Sequence, residues 1–345
     1  MFRFHIPLFV LALIVVTATA MPTIGAAQET IPAATPAAKP QPPTQPTTGP
    51  GSSEAPFGSV TTIEQKPPNQ LHADYWLFVP TAPLPGTPRV EEPFPLVIFV
   101  HGYTATSPDP YLAWVEHLVR RGAVVLYAEY QGSTSDETAW RQNLLDDVRG
   151  ALATLQREGV PVDLTRVAVA GHSVGGVLAV DYAASAAGAG LPVPTAVMSV
   201  VPSCMTTEVA CLGADLGTIP ATTRVLLVTE ADDPDSIGPP TVERIWTGLG
   251  VVPPENRDAV QLVTDAHGPP ALLAVHTQAL ADYGYDPPNA FDWYGTWKWL
   301  DALMGCAFDG EWCEVALGNT PEQRFMGTWS DGVPVTEAVV TDDPT

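Results

Sequence analysis

A mostly parallel, doubly wound α/β sheet with helices on both faces is predicted by three observations. Short runs of consecutive apolar residues, such as Pro95-Leu-Val-Ile-Phe-Val100 and Ala123-Val-Val-Leu-Tyr-Ala128, have the length and composition of strands buried on both faces. Stretches of helical periodicity separate them, so strand and helix alternate along the chain. A third apolar run, beginning at Arg166, breaks at Gly171 and resumes at once as an Ala/Val/Leu/Tyr helix.

Taken in order, Leu71–Pro80 mixes alternation with an apolar end and predicts an early antiparallel strand. The strand at 95–100 follows a Pro-rich turn and ends at Gly102. Asp109–Arg121 places Leu112, Val115, Leu118 and Val119 on one helical face, and the strand at 123–128 comes next. Asp136–Glu158 is a second helix, and the 166–170 strand and the helix after Ser173 follow it. Thr195–Val201, Arg224–Thr229 and Ala259–Thr264 are further strands, and a closing helix is expected around Phe291–Met304. In such sheets ligands bind at the carboxyl ends of the strands.

The first 56 of the 345 residues do not have the composition of a folded domain. Ile6–Val16 is an apolar run followed by the small-residue sites Ala18-Thr-Ala20 and Gly25-Ala-Ala27. This pattern predicts a signal peptide over 1–27 and a secreted, extracytoplasmic product without stable membrane insertion, N-terminally anchored if the signal is not cleaved. Residues 28–56 are rich in Pro, Thr, Ala, Gly and Ser and nearly devoid of large apolar side chains, which predicts a disordered linker. Residues 57–345 are then one catalytic domain. The formal charge of −23, from 38 acidic and 15 basic residues, argues against nucleic acid and anionic membrane surfaces as partners. Cys204/Cys211 and Cys306/Cys313 form two pairs each seven apart. In an oxidising compartment they predict two local disulfides, while the absence of C-x-x-C spacing argues against a metal site. No cofactor is implied.

Gly171-His-Ser-Val-Gly175 is a G-x-S-x-G segment between a strand and a helix. A serine there must turn sharply to hold its hydroxyl clear of the backbone, and Gly171 and Gly175 let the neighbouring chains approach. The first amides of the helix then point at any oxyanion forming above Ser173. A neutral serine needs a histidine to take its proton and a carboxylate to orient that histidine. His267, in the loop directly after the last strand, is the favoured base; His276 lies in a Leu/Ala/Val stretch and is favoured as structural. Asp232 is the expected acid in Glu230-Ala-Asp-Asp-Pro-Asp235, with Asp233 and Asp235 open as alternatives. The backbone N–H groups of Tyr103 and Val174 are the expected oxyanion donors. His101 is expected to pack beneath its loop, and His172 to be a neighbour of the nucleophile by position only.

Phe99-Val-His-Gly-Tyr-Thr-Ala105, Gly171-His-Ser-Val-Gly-Gly176, the acid loop and Ala266-His-Gly268 together resemble the α/β-hydrolase family, in its lidless cutinase-like, polyester-hydrolase and dienelactone-hydrolase branch. The resemblance covers roughly residues 70 to 306 and implies Ser173, Asp232 and His267 as the triad. It also implies the Tyr103 ring as a wall of the acyl pocket. Ser203 stands near where the polyester hydrolases carry a tryptophan, so it leaves room in the pocket. The expected activity is hydrolysis of small-molecule or polymeric carboxylic esters, short-chain acyl groups preferred, because nothing between Val177 and Arg224 is long enough to form a lid. A peptidase or amidase of the same fold, or a catalytically silent extracellular binding module, are the alternatives. The tail beyond residue 313 matches nothing in the resemblance.

Overall fold

The computed structural model describes residues 39–66, 75–86, 93–132, 137–204, 213–233, 239–282 and 284–342, together with 344. The expected signal peptide, the first part of the linker, Cys211 and Asp235 lie outside the described residues. Lys39–Thr345 forms one compact unit.

The strands are β1 (Phe57–Gln65), β2 (Tyr75–Pro83), β3 (Phe94–Val100), β4 (Val124–Ala128), β5 (Val162–His172), β6 (Ala196–Val200), β7 (Arg224–Glu230), β8 (Arg257–Leu262) and β9 (Val339–Thr341). Among the described residues they make one sheet in the order β1-β2-β4-β3-β5-β6-β7-β8-β9. The run from β4 through β8 is parallel, and the two edges are antiparallel. This is the predicted mostly parallel α/β sheet.

Every residue of β3 and β4 is buried, because helices cover both faces. The two-residue period divides β3 between two cores: Leu96, Ile98 and Val100 face one, Val97 and Phe99 the other. The first core is completed by α2 (Glu137–Glu158) and α3 (Val174–Ser185); the second by α1 (Leu112–Arg120) and the helix Trp297–Asp309. That last helix starts later than expected because Gly295 takes a non-helical conformation. Strand β1 was not anticipated: only Phe57 is buried along it, so its apolar signal is weak. No helix among the described residues is long and apolar enough to cross a membrane.

The described part of the predicted linker, residues 39–56, is a docked strap and not a free chain. Its composition hid this because it is held through backbone groups and needs no large apolar side chains. Gln41 and Ser330 exchange backbone-directed hydrogen bonds at 2.8 and 3.0 Å. The Gly51 N–H donates to Asp301 Oδ2 at 2.8 Å, and that carboxylate also receives His117 Nε2 at 2.9 Å and Arg121 Nε at 3.0 Å. Arg121 in turn donates to Ser52 Oγ and to the Glu54 carbonyl, each at 3.2 Å. Gly51 has φ +74°, and a Cβ there would lie 2.0 Å from the Trp293 carbonyl oxygen, so this contact requires glycine.

The tail is also anchored. Lys298 Nζ, buried, donates to the carbonyls of Glu322, Gln323 and Phe325. Burial lowers its pKa to about 7. Gln323 bridges Asp258 Oδ2 at 2.9 Å and the Ala316 carbonyl at 2.8 Å. Cys306 and Cys313 are disulfide-bonded as expected.

Burial alone would raise the Asp301 pKa, but Arg121, His117 and the Gly51 amide together hold it below the usual carboxylate range. Asp301→Ala takes from the partly buried Arg121 guanidinium, from His117 and from the Gly51 amide the carboxylate that they share, and should lower stability by about 3 kcal/mol. The check is the urea midpoint at pH 7 with unchanged slope. A carboxylate with a depressed folded-state pKa contributes above its unfolded pKa and loses that contribution as pH falls through the folded value. The difference between wild type and variant should therefore shrink in acid.

Candidate active site

Ser173 sits between β5 and α3 with φ 58° and ψ −124°, a conformation non-glycine residues adopt at a cost of about 1 to 3 kcal/mol. The surrounding backbone imposes it. A Cβ on Gly171 would lie 2.0 Å from the Gly175 carbonyl oxygen, and one on Gly175 would lie 2.1 Å from the Val100 carbonyl oxygen. The Ser173 N–H donates to the Val200 carbonyl at 2.9 Å, and the Ser203 N–H donates to the Ser173 carbonyl at 3.2 Å. The elbow is thus clamped between β3 and β6.

Ser173 Oγ lies 2.9 Å from His276 Nε2, and His276 Nδ1 lies 2.9 Å from Asp233 Oδ2. The Asp233 side chain is fully buried and that of His276 is 18 % exposed. The Nδ1–H donates to the carboxylate, leaving Nε2 bare to receive the serine proton.

The expected base, His267, is not part of this chain of contacts. Its Nε2 donates to Asp331 Oδ2 at 2.8 Å, and its ring stands edge-on to Trp329 at 5.6 Å. The cause is a reversal of the chain after β8. Asp265 and Leu272 exchange backbone hydrogen bonds at 2.9 and 2.8 Å, which closes residues 266–271 into a turn facing the tail. The returning segment is then tied by the Ala274 N–H to Thr264 Oγ1 at 2.9 Å and by the Asp232 N–H to the Ala274 carbonyl at 3.0 Å. His276 is thereby carried over the serine.

Asp232 is corrected for a related reason. Its amide is used in that tie and its side chain is exposed, while the next residue, Asp233, points inward. The segment around His276 resembled a helix in its Leu/Ala/Val content. The Pro269-Pro270 pair ahead of it was the available signal that the chain turns there and does not run on as a helix.

The N–H groups of Tyr103 and Val174 donate to no acceptor among the described residues. Val174 opens α3, where the first amides have no helical partner. The Tyr103 loop is held on both sides: the Gly102 N–H donates to Tyr111 Oη at 3.0 Å, and the Thr104 N–H to Gln131 Oε1 at 2.5 Å. His101 is fully buried with its ring stacked on Tyr130 and Tyr127, at 4.4 and 5.5 Å, and burial lowers its pKa to about 4. It packs beneath the loop as expected.

His172, expected to be a bystander, bonds to two loops. Its Nδ1 lies 2.7 Å from Tyr111 Oη and its Nε2 2.7 Å from the His276 carbonyl. Burial, and then His276 nearby, lower its pKa to about 3.

Above Ser173 opens a groove of about 580 Å³. Tyr103 and Tyr285, 40 % and 43 % exposed, line it together with Leu280, Pro110 and Ser203. Apart from His172 and His276, no titratable acid or base of the described chain lines it other than these tyrosines and Tyr111. Two further carboxyl groups are buried close by, Glu230 beside Asp233 and Asp292 beside Glu230. Burial, then the charges of Asp233 and Asp292, push Glu230 well above the usual range. Burial raises Asp292 to about 7, although the Asn289 N–H and Gln278 Nε2 donate to it.

Residues 63–210 match the family model described as Chlorophyllase, over less than half of the chain. That family is of the α/β-hydrolase type, and the match and the sheet above are consistent with the α/β-hydrolase superfamily and fold. The matched region includes Ser173 and both expected oxyanion donors and ends before Asp233 and His276. No curated protein matches the chain.

The two glycine contacts differ from that at Gly176, where a Cβ would meet the Val200 carbonyl oxygen at 3.0 Å. Gly175→Ala should therefore destabilise by about 3 kcal/mol or more, and Gly176→Ala by clearly less. Urea unfolding of the two variants checks the order; equal midpoints would mean that the clamp against Val100 is not a stability determinant.

Proposed function

We propose that this chain is a serine hydrolase of carboxylic esters, acting through Ser173, His276 and Asp233. The observation that carries the reading is the continuous hydrogen-bonded series from Ser173 Oγ through the His276 imidazole to the buried Asp233 carboxylate. In the reaction, His276 Nε2 takes the hydroxyl proton as Oγ attacks the ester carbonyl. The tetrahedral oxyanion receives the Tyr103 and Val174 N–H groups, and Asp233 stabilises the imidazolium that forms. His276 then returns the proton to the departing alcohol. Water, activated by the same imidazole, releases the acid from the acyl-enzyme.

The groove supports neutral esters as the substrate class, since among its described lining no Lys, Arg, Asp or Glu is present to pair with a charged substituent. Its openness to solvent supports short acyl chains and the lidless, cutinase-like branch, although residues 205–212 of the Val177–Arg224 stretch lie outside the described residues. The Cys306–Cys313 disulfide supports an oxidising, extracytoplasmic setting.

Ser173→Ala and His276→Ala should each lower kcat on nitrophenyl butyrate by about four orders of magnitude or more, since the triad acts as a unit, and Asp233→Ala should be comparably impaired. His267→Ala and Asp232→Ala should keep most of the activity, with His267→Ala losing thermal stability through its Asp331 contact. A dead His267→Ala beside an active His276→Ala would refute the assignment.

The rate on tributyrin should saturate smoothly across the solubility limit, and kcat/KM should fall from butyrate to palmitate esters. A sharp rise above the limit would reveal a mobile cover and overturn the open-groove reading.

A further inference from the structure

We infer that His172, the residue before the nucleophile, is a positioning residue that holds the loop bearing the base in register with the loop bearing the oxyanion donor. The inference rests on the serine-hydrolase reading.

The hydrogen bonds have only one consistent direction. The His276 carbonyl can only accept, so His172 Nε2 carries the proton and donates to it at 2.7 Å. A neutral imidazole protonated at Nε2 has Nδ1 as an acceptor. The hydroxyl of Tyr111, 2.7 Å from Nδ1, must therefore donate to it. With its proton so used, Tyr111 Oη accepts from the Gly102 N–H at 3.0 Å. The result is one directed series: Gly102 amide to Tyr111 hydroxyl to His172 ring to His276 carbonyl.

Each member belongs to a different part of the site. Gly102 precedes the Tyr103 amide, His172 ends β5 beside Ser173, and the last carbonyl belongs to the base itself. His172 and Tyr111 are 3 % and 1 % exposed, so water does not compete for these bonds. The low pKa from burial keeps the ring neutral at any pH at which the base functions, so the direction of the series does not reverse. Gly102 is fitted to this arrangement: a Cβ there would lie 2.9 Å from both His172 Nδ1 and Tyr111 Oη and would force the two apart. The His276 ring sits in a loop without helical or sheet support at its own position. A bond to its carbonyl fixes its main chain at the point where a small displacement would lengthen the Ser173 contact.

Amide side chains separate the two halves of the series. Glutamine can present its Nε2 amide where the imidazole Nε2 stands and so keep the donor to His276. Asparagine reaches only the Nδ1 position and keeps the Tyr111 side. Phenylalanine fills the space and keeps neither. Rates on nitrophenyl butyrate should be measured per folded protein, judged by near-ultraviolet circular dichroism, for His172→Phe, His172→Gln and His172→Asn.

Phe and Asn variants should lose about tenfold or more in kcat with little change in KM, as expected for a misplaced base. The Gln variant should recover most of that loss. Tyr111→Phe, which keeps its ring, should fall less than His172→Phe, again in kcat. If the Phe variant does not fold, the Gln and Asn pair decides. Equal impairment of Gln and Asn, or all variants within about twofold of wild type, would reduce His172 to a space-filling residue and overturn the inference. Failure of the wild type to react at Ser173 with a fluorophosphonate would overturn the hydrolase reading and this one together. Labelling of the wild type combined with insensitive variants would overturn this one alone.

Discussion

The close approach of α3 to the end of β3 is the constraint on which the site depends. The carbonyl oxygens of Val100 and His101 occupy the space that a Cβ on Gly175 would need, at 2.1 and 2.4 Å. This contact presses the first turn of α3 against the strand that leads into the Tyr103 loop. The Val174 amide and the Tyr103 loop are therefore brought together by the same packing that forces Ser173 to positive φ. The strain at one residue and the placement of the expected donors are one event. Two cores, one on each side of the sheet, supply the rigidity that keeps the strained turn from relaxing.

The fold was legible because its signal is local. Fully buried parallel strands must be largely apolar runs; β3 and β4 are written that way throughout, and β5, β6 and β7 over their central residues. The proposed nucleophile was legible for a similar reason: the Gly171 contact arises within the strand, turn and helix that the motif itself forms, although the Gly175 contact reaches out to Val100 and His101. The proposed base and acid were not. Their placement depends on the Asp265–Leu272 bridge, which doubles the chain back, and on the hydrogen bond from the Asp232 amide to the Ala274 carbonyl, which joins residues far apart in sequence. Counting residues past a strand end cannot detect that a loop doubles back. The strap at 39–56 was hidden differently: composition measures apolar side chains, and that segment is bound by its backbone to Asp301 and Ser330.

An acidic chain must also manage the carboxylates it buries. In the proposed triad Asp233 serves His276 as a carboxylate, and Glu230 lies beside it with Asp292 beside Glu230 in turn. Burial raises both neighbours, and a protonated Glu230 contributes no charge to compete with Asp233. The cluster thus separates by environment: one carboxylate is engaged by imidazole, and a second is held neutral beside it.

The contacts of His267 explain why a residue outside the proposed triad still belongs to the site's architecture. Asp265 receives the His267 amide at 2.8 Å and the Thr336 amide at 2.7 Å through its two oxygens, so the turn after β8 and the tail are joined by one carboxylate. His267 adds a second link to the tail at Asp331. Gly268 permits the approach, since a Cβ there would meet Trp329 at 2.7 Å and the Pro40 carbonyl oxygen at 2.6 Å. Strap and tail therefore converge on the outer side of the turn, while His172 and Asp233 hold its returning limb on the inner side. His276, the proposed base, occupies a loop with no regular structure of its own, and such a loop keeps a fixed geometry when it is bound at both ends. The segments that lie beyond the resemblance supply the outer of those two attachments.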